Sequence, residues 1–153
     1  MSGQRVAKSV LVTAGVLVGA WAQAPAQEQA VTRSAQDAQL QWGPCPAFMP
    51  AGCGLAVLHG DSSKANADVF LRLPANAVIP EHWHTSAERM VLVAGELTVS
   101  YKGQASTVLK PGMYAYGPAK VPHSASCGAG ASCVLFIAFE SAVDAVPVGP
   151  SAK

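Results

Sequence analysis

The chain has 153 residues, half of them apolar and only 12% charged, with a formal charge of +1. That length allows one domain with a real hydrophobic core, and the composition excludes a disordered chain. No basic stripe of the kind nucleic-acid binding needs is present, so that class of partner is excluded as well.

Residues 1–8 carry Arg5 and Lys8 with no acid, and Ser9–Ala22 is almost entirely small or apolar. Ala-x-Ala sites follow at Ala20–Ala22, Ala22–Ala24 and Ala24–Ala26. This order of charged, apolar and small-residue regions predicts a secretory signal peptide over residues 1–26, cleaved after Ala22 or Ala26. A cut after Ala24 would place Pro25 beside the scissile bond. The apolar run is about 14 residues, short of the roughly 20 that span a bilayer, so no stable membrane insertion is expected after cleavage. Loss of Arg5 and Lys8 would take the charge from +1 to −1. The expected location is the periplasm or the exterior.

Residues 27–38 are rich in Ala and Gln and predict a flexible arm. Trp42-Gly43-Pro44-Cys45-Pro46 and Pro50-Ala51-Gly52-Cys53-Gly54 follow, and their proline and glycine density predicts irregular loop. From Leu55 the chain alternates short β-rich runs with turns: Leu55–His59, Val69–Leu73, Met90–Val93, Leu97–Tyr101, Thr107–Leu109, Met113–Tyr116, Val121–Ser126 and Val134–Phe139. Short strands at this spacing, with no helical period, predict an all-β sandwich or barrel over residues 39–147. The end of the chain, from Ser141 through the tail at residues 148–153, contains Pro147 and Pro150 and is expected to be extended and partly disordered.

Between two of these runs lies Asn76–Gly95, NAVIPEHWHTSAERMVLVAG, which concentrates the chemistry. In an extended strand His82 and His84 point the same way with Trp83 opposite, and Glu88 follows four residues later. Imidazole nitrogen and carboxylate oxygen suit first-row divalent metals, and His123 could complete the set from another strand. The stretch resembles the first motif of the cupin superfamily, G-x5-H-x-H-x3-E-x6-G, with Asn76 in place of the leading glycine and Gly95 at its end. The second cupin motif, G-x5-P-x-G-x2-H-x3-N, is matched at Gly112, Pro118 and His123. It departs at Lys120, in the second glycine's place, and at Cys127, in the asparagine's place. The resemblance implies a single cupin jelly-roll barrel, a double-stranded β-helix with the site inside it. It implies His82, His84, Glu88 and His123 as ligands of one divalent transition metal, Fe or Mn first and Zn, Ni or Cu as alternatives. It also implies a homodimer.

Alternation makes Leu71, Leu73, Met90, Leu92, Tyr114, Tyr116 and Phe136 candidates for the cavity wall. Lys120 is either a cation at the rim or a solvated side chain. His59 is expected to be an ordinary packed or surface residue. Four cysteines in an exported chain suggest disulfides, and of the three pairings the local ones, Cys45 with Cys53 and Cys127 with Cys133, are favoured over free thiols. The expected function is a metal-binding cupin acting on a small-molecule ligand or substrate, with dioxygenase-type oxidation as the enzyme hypothesis and Glu88 as its catalytic proton acceptor. The rival is a non-catalytic module that captures a small ligand or a metal. The fold alone does not choose between them.

Overall fold

Eleven strands, and no helix among the described residues, follow one another in a computed structural model that describes residues 28–149. The predicted signal peptide and the last four residues lie outside that range, and the compact unit considered below begins at Val31. The strands are β1 (Gly43–Pro44), β2 (Gly54–His59), β3 (Ala67–Leu73), β4 (Val78–Trp83), β5 (Glu88–Ala94) and β6 (Leu97–Tyr101). They continue with β7 (Thr107–Leu109), β8 (Tyr114–Gly117), β9 (His123–Cys127), β10 (Cys133–Phe139) and β11 (Val146–Pro147). The eight predicted runs are all strands, with ends within two residues of those expected, ordinary fraying at element boundaries, while β4, β11 and β1, the last in a stretch expected to be irregular loop, are additional.

The strands form two sheets, one in the order β1-β2-β3-β10-β5-β8 and the other β11-β4-β9-β6-β7. The expected closed barrel is corrected here: the sheets face each other as a jelly-roll sandwich, and no strand is hydrogen-bonded to both. The edge strands explain it. β1, β7, β8 and β11 have two, three, four and two residues, too little chain to bridge the gap between the layers.

Period-two alternation packs the sandwich. Val69, Leu73, Leu92, Leu97, Leu135, Ile137 and Phe139 turn inward and are at most 3% exposed. Outward residues of the six-stranded sheet form a second, smaller cluster of Ala56, Phe70 and Val134, against which Leu40, Ala35 and Trp42 pack. Part of the stretch expected to be an arm is thus seated on the outer face of the sheet.

The turns show why the departures from the cupin pattern are tolerated. Gly95 and Gly112 have φ of 82° and 86°, and Asn76 and Lys120, standing where the motifs have glycine, have φ of 61° and 63°. All four positions therefore adopt the left-handed conformation. A Cβ on Gly95 would come within 2.7 Å of the Ser132 carbonyl oxygen, so that position admits only glycine. Asn accepts the left-handed region at modest cost, whereas Lys incurs about 1–2 kcal/mol. Lys120→Gly should therefore stabilise the protein by about 0.5–1 kcal/mol after allowing for glycine's greater unfolded freedom. Asn76→Gly should change stability less. Thermal unfolding of both variants checks the order.

Two disulfides staple the ends of strands. Cys45 joins Cys53 beside β2, and Cys127 at the end of β9 joins Cys133 at the start of β10, with Cα–Cα distances of 5.7 and 5.8 Å.

Candidate metal centre

β4 presents its histidines by breaking its own alternation. Ile79 pairs with Ala125 and His82 with His123, so β4 uses three residues where β9 uses two. Strict alternation would send Ile79 and His82 to opposite faces. The extra residue turns both inward, and each is 3% exposed. The bulge falls beside Pro80, which has no N–H to give to a ladder. From His82 the alternation resumes, with His84 buried and Trp83 only half-buried. His123 opens β9, and Glu88 opens β5 in the opposite sheet, so the two layers meet at this end of the sandwich.

The three imidazoles are fixed in the same manner. Nδ1 of His82 donates to the Pro80 carbonyl oxygen at 2.8 Å and Nδ1 of His123 to that of Val121 at 3.1 Å. Nδ1 of His84 donates to the carbonyl oxygen of Asp144. A carbonyl only accepts, so Nδ1 carries the proton and Nε2 keeps its lone pair. Such outer bonds are how proteins set the tautomer and orientation of metal-binding histidines.

Ligand atoms of His82, His84 and His123 lie within 4.8 Å of one another. Glu88 lies beside the three: Oε1 is 3.3 Å from Nε2 of His84 and Oε2 is 3.7 Å from Nε2 of His123. Metal–ligand bonds of about 2.1 Å put two ligand atoms roughly 3.0–4.2 Å apart, so the Glu88 contacts already match a first-row ion, while the imidazole nitrogens, within 4.8 Å of one another, would draw in slightly around one. The donor set could hold a metal.

Without one, the cluster is neutral. Burial pulls all three histidines down to about 4, helped by their mutual repulsion and opposed by the carbonyl bonds. Burial, and next the charge of Asp144, push the Glu88 carboxyl up to about 8. At pH 7 the His84–Glu88 contact is thus between uncharged groups, and a metal would have to displace the Glu88 proton.

A cavity of about 230 Å³ opens from the cluster. Its walls are almost wholly apolar, with Leu71, Leu73, Ile79, Leu97, Val99 and Leu135 opposite the polar end. Pro44, Cys45, Pro46 and Met49 of the stapled loop line another part. Of the residues proposed from sequence for the wall, Leu71, Leu73 and Met90 line it, while Leu92 is core behind it. Tyr114 and Tyr116 are corrected: they are 59% and 50% exposed and do not border the cavity. They pair with Val91 and Arg89, the outward residues of β5, so they share the outward face. Phe136 likewise packs on the outer cluster, and Lys120 is exposed and away from the cavity wall.

Three residues beside the site had no individual signal in the sequence. Asp144 supplies the carbonyl that orients His84, and its carboxylate accepts from the Thr85 N–H at 2.9 Å and the Thr85 hydroxyl at 2.5 Å. Ser86, 2% exposed, accepts from the N–H groups of Glu140 and Ser141 at 2.8 and 3.0 Å. Tyr101 packs against His123 with ring centroids 5.1 Å apart and the rings tilted by 38°, and its buried hydroxyl has no partner among the described residues. Burial, then the nearby Glu88, hold that phenol above its usual range.

Gly117 makes room for this corner. A Cβ there would lie 3.0 Å from the Tyr101 hydroxyl and 3.1 Å from Glu88 Oε2. Gly117→Ala should therefore displace Glu88 by a few tenths of an ångström and weaken metal binding about tenfold, since such sites tolerate only about 0.5 Å of error. Titration with zinc, alongside thermal unfolding to show an intact fold, checks it.

Two antiparallel sheets around an inward-facing His, His, Glu and His cluster define a cupin. More narrowly, the chain belongs to the family of ChrR cupin-like domains, whose model matches residues 30–142. No curated protein matches the sequence. Among solved structures, the chain resembles DMSP lyase DddQ from Ruegeria pomeroyi at 21% identity and a TM-score of 0.62, covering 74% of this chain and 64% of that one. A structure of the DMSP lyases RdDddP and RnDddQII gives 15% identity and a TM-score of 0.64, covering 72% of this chain and 63% of that one. The chain thus spans less than two thirds of the lyase chains it matches. The polyketide cyclase RemF from Streptomyces resistomycificus gives 15% identity and a TM-score of 0.63, covering 78% of this chain and 87% of that one. At these identities the likeness is one of fold.

Proposed function

We propose that the chain is an exported metal-binding cupin. One divalent transition metal, iron or manganese first and zinc, nickel or copper as alternatives, is held by His82, His84, His123 and Glu88 beside a small-molecule ligand or substrate. The observation that carries this reading is the common fixing of the three imidazoles through Nδ1, which leaves every Nε2 lone pair free beside a buried carboxyl. The donors sit at one end of a cavity, an arrangement suited to an open, reactive site rather than a closed structural one.

A metal bound there supplies Lewis-acid polarisation or electron transfer, as dioxygenase-type oxidation of a small oxygenated substrate requires. The chain supplies the rest. The apolar walls exclude water, the Nδ1 bonds hold the ligands in place, and Glu88 accepts a proton from the substrate. A non-catalytic capture module is the second reading. It is favoured by the cavity wall, where outside the ligand set the only ionisable side chain among the described residues is Asp144, already engaged by Thr85.

The two disulfides hint at an oxidising compartment, in keeping with the predicted leader and a periplasmic or secreted location. The exposed Val93, Tyr114 and Tyr116 on neighbouring strands β5 and β8 support a homodimer. Elemental analysis of natively exported, tag-free protein purified without chelators tests the reading. About one iron, manganese or copper per chain favours redox chemistry, to be followed by oxygen-consumption assays. Zinc favours non-redox chemistry or capture. No metal after reconstitution would overturn the proposal. Intact mass of the same sample shows whether residues 1–22 or 1–26 are removed.

A further inference from the structure

We infer that the cavity selects an amphiphilic monoanion, with one oxygen head and an unbranched or compact apolar body, such as a small monocarboxylate. The inference deepens the metal-site reading and rests on it. Charge balance decides the head. Three neutral imidazoles and one carboxylate bound to a divalent ion leave +1 in the ligand shell itself, with the Asp144 carboxylate held outside that shell on Thr85, and a single anionic oxygen bound to the ion neutralises the shell. Among the described residues no Lys or Arg borders the cavity, so a second anionic group would be buried without a partner. An unpaired buried charge is strongly disfavoured. Asp144, which lines the same cavity, has its carboxylate engaged by two bonds from Thr85, so it supplies no cation and its charge would repel a second negative group. The wall decides the body. Away from the ligands the cavity meets Leu71, Leu73, Leu97, Val99 and Leu135, which offer no hydrogen bond from their side chains. A volume of about 230 Å³ limits the ligand to a small molecule.

Isothermal titration of the zinc-loaded full-length protein with acetate, butyrate, hexanoate and succinate tests this. Each added methylene should tighten binding about fourfold until the cavity is full. Succinate, of the same carbon count as butyrate, should bind at least tenfold more weakly. Ser62 lines the cavity, is only half-buried, and engages Val143 through its carbonyl oxygen, so its side chain is replaceable. Ser62→Lys should narrow or reverse the preference for butyrate over succinate by supplying the missing cation. Equal or tighter binding of succinate to the wild type, or affinity indifferent to chain length, would overturn the inference while leaving the metal site standing. Failure to take up zinc at all, read in the prior zinc titration, would overturn the metal-site reading and this inference with it.

Discussion

Glu88→Gln should stabilise the metal-free protein at pH 8 and at the same time weaken metal binding about 100-fold. The carboxyl is 3% exposed and its pKa is pushed up to about 8, against 4.5 for the ordinary group. Between those values the unfolded chain gives up a proton that the folded chain keeps. Stability is therefore lost as pH rises from about 4.5 to about 8 and levels off above that. The loss is on the order of 4 kcal/mol for one wild-type carboxyl. Glutamine fills the same space and does not titrate, so the variant avoids it. The histidines act in the opposite sense, because their pKa values fall from 6.5 to about 4. Their contribution is present above pH 6.5 and lost as pH falls towards 4, so metal-free wild type should be most stable near pH 6.5. Thermal unfolding of chelator-treated samples at pH 5 and 8.5 checks this: the two proteins should nearly coincide at the lower pH and separate by several degrees at the higher. Identical profiles would mean that the carboxyl is not held protonated by burial. Added zinc should reverse the ranking, because an amide oxygen is a weak substitute for a carboxylate and cannot offset the metal's charge.

The cluster was legible in the sequence because three of its four members fall within seven consecutive residues, the two histidines at strand spacing on β4 and Glu88 just past the turn at the start of β5. The strands were legible for the same reason, since alternation and turn residues are local. What failed to show is non-local. Tyr114 and Tyr116 alternate just as cavity residues would, but their phase relative to Glu88 depends on the pairing of β8 with β5, which sets them opposite Val91 and Arg89. The inward positions of that strand are Ala115 and Gly117, too small to attract notice. Tyr101 reaches the site only through the register that sets it opposite His123. Asp144 acts on His84 through a main-chain carbonyl, for which no residue type is diagnostic, across 60 positions of sequence. A closed barrel could not be separated from a sandwich either, because closure depends on whether edge strands are long enough to pair. Pro80 was the one overlooked local clue: a proline within a strand marks an edge or a bulge, and here the bulge sets the phase of both histidines.

The two strand-borne histidines should differ in what their loss does to the fold, although either loss should weaken metal binding roughly 100-fold or more. His82 is tied to Pro80, two residues away on the same strand, so His82→Ala removes a ligand and little else. His84 is tied to Asp144, and through it to the segment that runs on into β11 and back over β4. The Val143 N–H donates to the Ser62 carbonyl oxygen at 2.8 Å and the Val148 N–H to that of Glu81 at 3.0 Å, so this segment straps the site. The expectation of a partly disordered chain end from Ser141 is corrected for residues 141–149 by these bonds and by the Ser86 hydroxyl beneath its start. His84→Ala removes the contact that joins strap to metal centre, while the bonds to Thr85, Ser86, Ser62 and Glu81 and the β11–β4 pairing still hold the strap. Hydrogen exchange of the metal-free variants should therefore show faster exchange at Val143 and Val148 in His84→Ala than in His82→Ala, with the sheet core protected in both. Equal protection of the strap in the two variants would mean that His84 serves the metal alone. Faster exchange confined to His84→Ala would make this histidine the link by which an occupied metal site tightens the chain over its own cavity.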